Sequence, residues 1–317
     1  MSWAVVFPGQ GSQSVGMMAE LAGGHAVVRE TFAEASAALG YDLWERISRG
    51  PAEALNATAC TQPAMLAAGV ATWRLWRASG GPAPALVSGH SLGEFTALVC
   101  AEVFGFADAL RLVRTRGELM QAAVPAGTGA MAAVLGMDDA ALEAVCAEAA
   151  GDEVVEAVNY NSQGQVVIAG HASAVQRAIA LAKSRGAKRA VLLPVSVPSH
   201  SSLMRGAAEQ LRERLVEMPM QAPRIRYFSA VDASMHEQPD DIRATLVRQL
   251  ASPVRWTQTV LALTAAGATT LLECGPGRVL TGLNRRIEKR PEITCLAIED
   301  AASLAAALTQ AKDANHV

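Results

Sequence analysis

Ser91 stands at the centre of Gly89-His90-Ser91-Leu92-Gly93, between the apolar run Ala85-Leu86-Val87 and the helix-prone stretch Glu94-Phe95-Thr96-Ala97-Leu98-Val99. Together these segments predict a strand, a tight turn and a helix with a serine at the apex, the arrangement of a nucleophile elbow. The flanking glycines have a steric reason, because side chains there would collide with the strand or the helix. The turn holds the hydroxyl clear of the backbone, and the free N–H groups of the following helix point at any negative charge that forms beside it. The five-residue pattern alone is weak, since about one chain in ten of this length would hold it by chance. The strand before it and the helix after it carry the prediction.

The chain has 317 residues, enough for a large core and two structural units. Apolar residues make up 51% and charged residues 18%, a globular composition. A net charge of −3 lacks the basic excess of a nucleic-acid binder, and 4% aromatics is too few for a base-stacking platform. Cysteines 60, 100, 146, 274 and 295 are odd in number and widely spaced, so they form neither a zinc pattern nor a disulfide framework. Free, mostly buried thiols are expected, as in a reducing compartment. Met1-Ser2-Trp3-Ala4-Val5-Val6-Phe7 has no basic segment and meets Pro8-Gly9 too early for a signal peptide. No run approaches the ~18 apolar residues of a membrane span. A soluble, cytoplasmic protein is expected, without membrane or nucleic-acid partners. Nothing demands an oligomer, so a monomer is expected.

Trp3–Phe7 reads as a buried first strand and Pro8-Gly9-Gln10-Gly11-Ser12-Gln13 as the loop leaving it. Helical patterns follow over 17–39, 41–48 and 62–78, then the elbow strand at 85–88, its helix from 92, and a helix from Leu110 to Ala123. This alternation predicts a parallel sheet with helices on both faces. The rhythm then changes. Strand 129–135, helix 138–150, strands 154–159 and 165–169 around Asn161-Ser162-Gln163-Gly164, helix 172–185 and strand 188–195 give the β-α-β-β-α-β order of a ferredoxin-like unit. Residues 127–196 therefore read as a small subdomain inserted into a catalytic domain of 1–126 and 197–317. In that second part the expected elements are helix 202–218, strand 224–230, helices 241–250 and 257–266, strand 269–274 and helix 278–287.

A serine hydroxyl needs a base to take its proton. Of six histidines, His25, His171 and His316 have no motif around them, and His236 lies in a polar loop. His90, inside the elbow, leaves the turn on the side opposite the serine and is expected to support it. His200, in Val197-Pro198-Ser199-His200-Ser201-Ser202, sits in a rigid loop at a strand end, where sites of such sheets are built. No acid between Ser91 and His200 stands out: Asp108 starts a helix, and Asp138 and Asp139 look like a cap. A backbone carbonyl is an alternative acceptor for the imidazole N–H. Gly9-Gln10-Gly11-Ser12-Gln13 lacks the spacing of a dinucleotide loop and the Gly-Lys-Ser/Thr of a P-loop, so its glycines read as room for backbone to approach an oxyanion.

Phe7-Pro8-Gly9-Gln10-Gly11-Ser12-Gln13, Thr61-Gln62-Pro63-Ala64, Gly89-His90-Ser91-Leu92-Gly93-Glu94, Arg116-Gly117 with Met120-Gln121, Gly129-Ala130-Met131, Asn161-Ser162 with Gly164–Gly170, Pro198-Ser199-His200 and Gly275-Pro276-Gly277 occur in that order. From about residue 3 to residue 290 the chain resembles the bacterial malonyl-CoA:acyl-carrier-protein transacylases. The resemblance implies an α/β-hydrolase-like core with an inserted ferredoxin-like subdomain. It implies transfer of malonyl from malonyl-CoA through a malonyl-serine to the phosphopantetheine thiol of acyl carrier protein, feeding fatty-acid synthesis. The alternatives are a stand-alone acyltransferase of polyketide synthesis or an acyl-thioester hydrolase. It implies Ser91 as the acylated residue, His200 as base and acid, the Gln10 and Leu92 N–H groups as oxyanion hole, Arg116 as the carboxylate grip and the Gln249 carbonyl as the orienter of His200. No metal or cofactor is implied, since the partner carries the phosphopantetheine.

The sequence departs from the family at two places: Gln163 where proline is common, and Ala230 where asparagine is frequent, which bears on the polarity of the site. An acidic carrier needs a basic landing patch. Two runs qualify: Lys183, Arg185, Lys188 and Arg189; and Arg285, Arg286, Lys289 and Arg290.

Overall fold

The computed structural model describes residues 2–195 and 197–313; His316 lies outside them. Its strands are β1 (Trp3–Phe7), β2 (Leu86–Gly89), β3 (Gly129–Leu135), β4 (Val155–Ser162), β5 (Gln165–His171), β6 (Arg189–Leu192), β7 (Arg226–Phe228), β8 (Met235–His236), β9 (Thr270–Cys274) and β10 (Thr294–Ile298). They form a six-stranded sheet, β10-β9-β1-β2-β7-β8, and a four-stranded sheet, β4-β5-β3-β6.

The larger sheet is parallel except for β8, a two-residue edge strand antiparallel to β7. Its centre is buried on both faces, as parallel strands between helices require. Along β1, Trp3, Val5 and Phe7 enter one core, while Ala4 and Val6 enter another on the opposite face. The first core holds the helices Ala26–Leu39, Thr58–Ala78, Gly93–Cys100 and Phe106–Ala122. The second holds Trp256–Ala265 and Val279–Ile287.

The smaller sheet is antiparallel throughout, and its order is that of the expected ferredoxin-like unit. Helices Asp139–Ala150 and Ala172–Ser184 cover one face with their own apolar core. On the other face Met131, Val158, Val167 and Ala169 pack with Leu193 and Val195. The fold is therefore the expected parallel-sheet core with an inserted antiparallel subdomain.

Several elements differ from the sequence reading. The helix expected over 17–39 breaks at His25 into Ala19–Gly24 and Ala26–Leu39, because the extended His25 backbone ends the first helix and starts the second. The helix expected from 62 begins at Thr58, where the Thr61 hydroxyl donates to the Leu55 carbonyl at 2.6 Å. Helix 202–218 starts as a 3₁₀ turn, Ser202–Met204, and runs as α-helix over Arg205–Val216. Helix Ala52–Asn56, β8, β10 and helix Ala301–Asp313 are additional. All five cysteines are free and buried. Among the described residues no helix is long and apolar enough to cross a membrane.

Candidate active site

β1 and β2 lie side by side and parallel, and both end at the same rim of the sheet. The chain leaving β2 turns so sharply that a Cβ on Gly89 would lie 2.0 Å from the Gly93 carbonyl carbon. A Cβ on Gly93 would lie 2.0 Å from the Phe7 carbonyl oxygen. Only glycine fits either place. The turn is closed by Gly93 N–H to His90 O at 2.9 Å and Glu94 N–H to Ser91 O at 3.0 Å. Ser91 sits at the apex with φ 52°, a left-handed conformation that costs roughly 1–3 kcal/mol away from glycine.

His200 arrives from the loop after β6, also left-handed at φ 66°, and its N–H is anchored on Leu250 O at 3.0 Å. Its Nδ1 faces two backbone carbonyls, Gln249 O at 2.8 Å and Ser252 O at 3.2 Å. Carbonyls only accept, so the ring proton is on Nδ1 and the Nε2 lone pair is free. That lone pair meets Ser91 Oγ at 2.7 Å. Among the described residues no carboxylate holds the imidazole. Asp108 pairs with Arg111, and Asp138 caps the helix behind it.

Arg116 reaches the same oxygen from helix Phe106–Ala122, which lies close to Thr58–Ala78 because Gly117 is there. A Cβ on Gly117 would be 2.8 Å from the Ala59 Cα. Arg116 Nη2 lies 3.4 Å from Ser91 Oγ and donates to Gln249 Oε1 at 2.9 Å. The side chain is 1% exposed, its guanidinium sits 5.3 Å from the Phe95 ring, and its Nε has no protein partner. Burial pulls the guanidinium down to about 10, opposed by the charge of Glu94, so it remains cationic at neutral pH. Burial, with the Arg116 charge as second cause, pushes the His200 imidazole down to about 3. The imidazole is therefore neutral, with a lone pair able to accept a proton.

The pair opens into a cleft of about 440 Å³ between the two sheets, lined on the serine side by Gln10, His90 and Leu92 and on the other by Met131, Asn159 and Leu193. Among the described residues the Gln10 and Leu92 N–H groups find no protein acceptor. His90 points away from Ser91, donating from Nε2 to Asn161 Oδ1 at 2.8 Å, with its ring 5.6 Å from that of Trp256. It thus ties the elbow to β4 of the small sheet. His171 and His236 are held locally, by Val154 N–H and by Asp232. Ala230 packs in the apolar core with Val254 and Trp256. Gln163 and Gly164 form the two-residue turn between β4 and β5, and Asn161 and Ser162 belong to β4. Among the described residues no cluster of His, Cys, Asp and Glu is arranged to hold a metal.

Two site residues have no role in the sequence reading: Glu94 and Tyr227, both wholly buried. Glu94 had a visible signal, a single charge in the otherwise apolar helix Gly93–Cys100. Tyr227 had none, since it meets Glu94 across 133 positions.

A hydroxyl, a neutral imidazole and a buried cation converging at the rim of an α/β sheet are the geometry of a serine-nucleophile acyl-transfer or hydrolytic enzyme. Comparison with known proteins agrees. The acyl transferase domain family matches residues 4–311. The malonyl CoA-acyl carrier protein transacylase of Salmonella typhimurium is 56% identical over 308 residues, covering 97% of this chain and 99% of that one. The acyl carrier protein S-malonyltransferase structure from Vibrio cholerae superposes with TM-score 0.93 at 55% identity, over 96% of this chain and 99% of that one. A malonyl-transacylase solved in complex with its type II PKS acyl-carrier protein gives TM-score 0.96 at 52% identity, over 98% and 100%. The chain belongs to the malonyl CoA-acyl carrier protein transacylase family of acyl transferases.

The depressed His200 sets the pH behaviour. An imidazole that is neutral down to about 3 stays a competent base where an ordinary histidine, near 6.5, would be protonated. The single-turnover rate of Ser91 acylation should therefore stay within about twofold from pH 8 to pH 5. A fall to half near pH 6.5 would contradict the burial argument. The linkage runs with it: below pH 6.5 the unfolded chain binds a proton that folded His200 refuses, so its contribution to stability falls as pH drops from 6.5 toward 3.

Proposed function

We propose that this protein moves the malonyl group of malonyl-CoA to the phosphopantetheine thiol of acyl carrier protein through a malonyl ester on Ser91, feeding fatty-acid synthesis. The contact of Ser91 Oγ with His200 Nε2 at 2.7 Å, with Arg116 Nη2 at 3.4 Å from the same oxygen, carries the reading. His200 takes the hydroxyl proton as Oγ attacks the thioester carbonyl. The oxyanion lies beside the Gln10 and Leu92 N–H groups, donors worth ~3–4 kcal/mol each in comparable sites. Collapse expels the CoA thiolate, which takes the proton from His200. In the second half the carrier thiol gives its proton to His200, its sulfur attacks the ester, and Ser91 leaves with that proton.

Arg116 grips the malonyl carboxylate, a bidentate match for a guanidinium whose Nε is unpartnered. Charge neutralisation there removes the second cause of the depressed His200, so the base strengthens when an acidic acyl group is seated. Residues 127–196 act as a small subdomain, supported by the separate core under the second sheet, and 1–126 with 197–317 as the catalytic domain. We place the protein in the cytoplasm, in keeping with its free thiols, and take a single chain as the working unit, since Ser91, His200, Arg116 and Gln249 all belong to it. It needs no metal or cofactor of its own.

The two basic runs approach one another. Lys188 N–H bonds Leu135 O, Leu135 pairs with Gln165, and Gln165 Oε1 accepts from Arg286 at 2.6 Å. Arg185 and Arg290 are tied to Glu148 and Glu288, and the other six residues of the two runs, Lys188, Arg189 and Arg286 among them, have no acidic partner among the described residues. We assign this edge to the acidic carrier.

Intact-mass analysis after mixing with malonyl-CoA tests the chemistry. A malonyl adduct is expected on the native chain and none on Ser91→Ala; rapid release of free malonate without carrier would indicate a hydrolase.

Arg116→Ala should cut malonyl transfer by roughly 30-fold or more, the loss of about 2–5 kcal/mol for a truncated buried charge partner, and shift preference toward acetyl. Unchanged malonyl-over-acetyl selectivity would remove the assigned role.

Charge reversal at Lys188 and Arg189, or at Arg285 and Arg286, should raise the KM for carrier about tenfold at low salt, with little change in acylation by malonyl-CoA. Equal losses in both half-reactions would mark a folding defect, and no loss would place the carrier elsewhere.

A further inference from the structure

Glu94 is the third residue after Ser91 and is wholly buried, yet among the described residues no basic side chain pairs with it. Its carboxylate receives the Tyr227 hydroxyl on one oxygen and Gln249 Nε2 on the other, with Ser229 as a further hydrogen-bond partner. Burial pushes the Glu94 carboxyl above its ordinary range, and the hydrogen bonds from Ser229, Tyr227 and Gln249 oppose that shift; the ionised carboxylate, which those donors favour, is acceptor-only. Gln249 has every polar atom of its side chain engaged. Nε2 donates to Glu94 and, at 3.0 Å, to Ser91 O, while Oε1 accepts from Arg116 Nη2 at 2.9 Å. An amide between an acceptor-only carboxylate and a donor-only guanidinium has one orientation, and turning it over would set two donors against each other at Arg116 and two acceptors at Glu94. Glu94, together with Ser91 O, thus fixes which face of Gln249 meets Arg116.

We infer that Glu94 is a positioning residue for acyl-group selection: through the Gln249 amide it aims the Arg116 guanidinium at the acyl pocket and so sets the preference for a malonyl over a neutral acyl group. The inference rests on Arg116 as the carboxylate grip. The relay runs from carboxylate to amide to guanidinium, and the substrate carboxylate completes it. Glu94 itself never meets the substrate. Its negative charge also favours the cationic form of Arg116, which burial opposes.

A role in selection differs from a role in holding the elbow. A loosened elbow slows every acyl group alike. A misaimed guanidinium slows only those with a carboxylate. The experiment is single-turnover acylation of Ser91, followed by intact mass, with malonyl-CoA and with acetyl-CoA on the full chain. In Glu94→Gln the malonyl-to-acetyl rate ratio should fall at least about tenfold, in line with the loss of a hydrogen bond to a charged group. Glu94→Asp, which keeps an acceptor-only carboxylate, should restore most of the ratio. In an Arg116→Ala background Glu94→Gln should change the ratio no further. If Glu94→Gln does not fold, Gln249→Ala cuts the same relay while keeping the backbone carbonyl that holds His200, and the ratio should fall likewise. Equal slowing of both acyl groups in these variants, or an additional fall in the Arg116→Ala background, overturns the inference. Loss of preference in Arg116→Ala with none in Glu94→Gln overturns it alone. A preserved preference in Arg116→Ala removes the carboxylate grip and the inference with it.

Discussion

The active centre depends on how closely the backbone of residues 89–94 passes the ends of β1 and of its own strand. Three glycines make that passage possible. A Cβ on Gly93 would meet the Phe7 carbonyl at 2.0 Å, one on Gly89 the Gly93 carbonyl carbon at 2.0 Å, and one on Gly9 the His90 carbonyl at 2.6 Å. Each obstacle is backbone, which cannot rotate away as a side chain can. The consequence is geometric. The loop after β1 and the turn after β2 are pressed against each other, so Gln10 and Leu92 share one wall of the cleft with Ser91 between the strands that carry them. The strain of a left-handed serine is sustained because the surrounding parallel sheet is buried on both faces and leaves the turn no other path.

On this rigid frame the polar groups are arranged with almost no carboxylate near the reacting atoms. The imidazole is held by two backbone carbonyls in place of an acid. An acid on Nδ1 would raise the basicity of His200 and also add a negative charge where an acidic acyl group must enter. Carbonyls fix the same tautomer without that charge. The carboxylate that is present, Glu94, lies behind the elbow and acts through an amide. Negative charge is kept one residue away from the pocket, and positive charge is placed in it.

How much of this could be read in advance follows from the range of the interactions. The elbow and the small sheet were legible because their signals are local: glycines at a turn, alternating apolar strands, a cap at Asp138. The order β-α-β-β-α-β needed no long-range information. Local reading failed at His25, where the apolar pattern resumes at once beyond Gly23-Gly24 and the reading ran through the stop that those two glycines mark. It failed too for the chain after residue 290, where β10 is a five-residue strand and the Ala-rich Ala301–Asp313 has little contrast between faces, although Asp300 bonding Ser303 N–H is a start signal. Gln249 and Arg116 entered from the resemblance. Unaided, a glutamine at a helix end and an arginine among leucines read as surface. Glu94 was visible as a stray charge, but its partners lie 133 and 155 positions away and no spacing rule reaches them.

Under the proposed mechanism, the arrangement at Ser91 Oγ also explains how one oxygen serves two thiols, the departing CoA and the arriving carrier, without an additional switch. In the free site it is bonded to a neutral base at 2.7 Å and approached by a cation at 3.4 Å. The cation lowers the affinity of the base for a proton and favours negative charge on the oxygen, two effects that oppose each other in the proton transfer. An acyl group carrying its own carboxylate takes up the guanidinium, and the balance shifts toward the base. On the proposed assignment of Arg116, the same ion pair holds the malonyl ester while CoA leaves and the carrier thiol arrives. On that assignment the charge that selects the group is also the charge that retains it between the two half-reactions, and a neutral acyl group, which cannot engage Arg116, leaves the imidazole depressed and the cation unpaired in a buried site. Selectivity here is a penalty on the wrong substrate as much as an attraction for the right one.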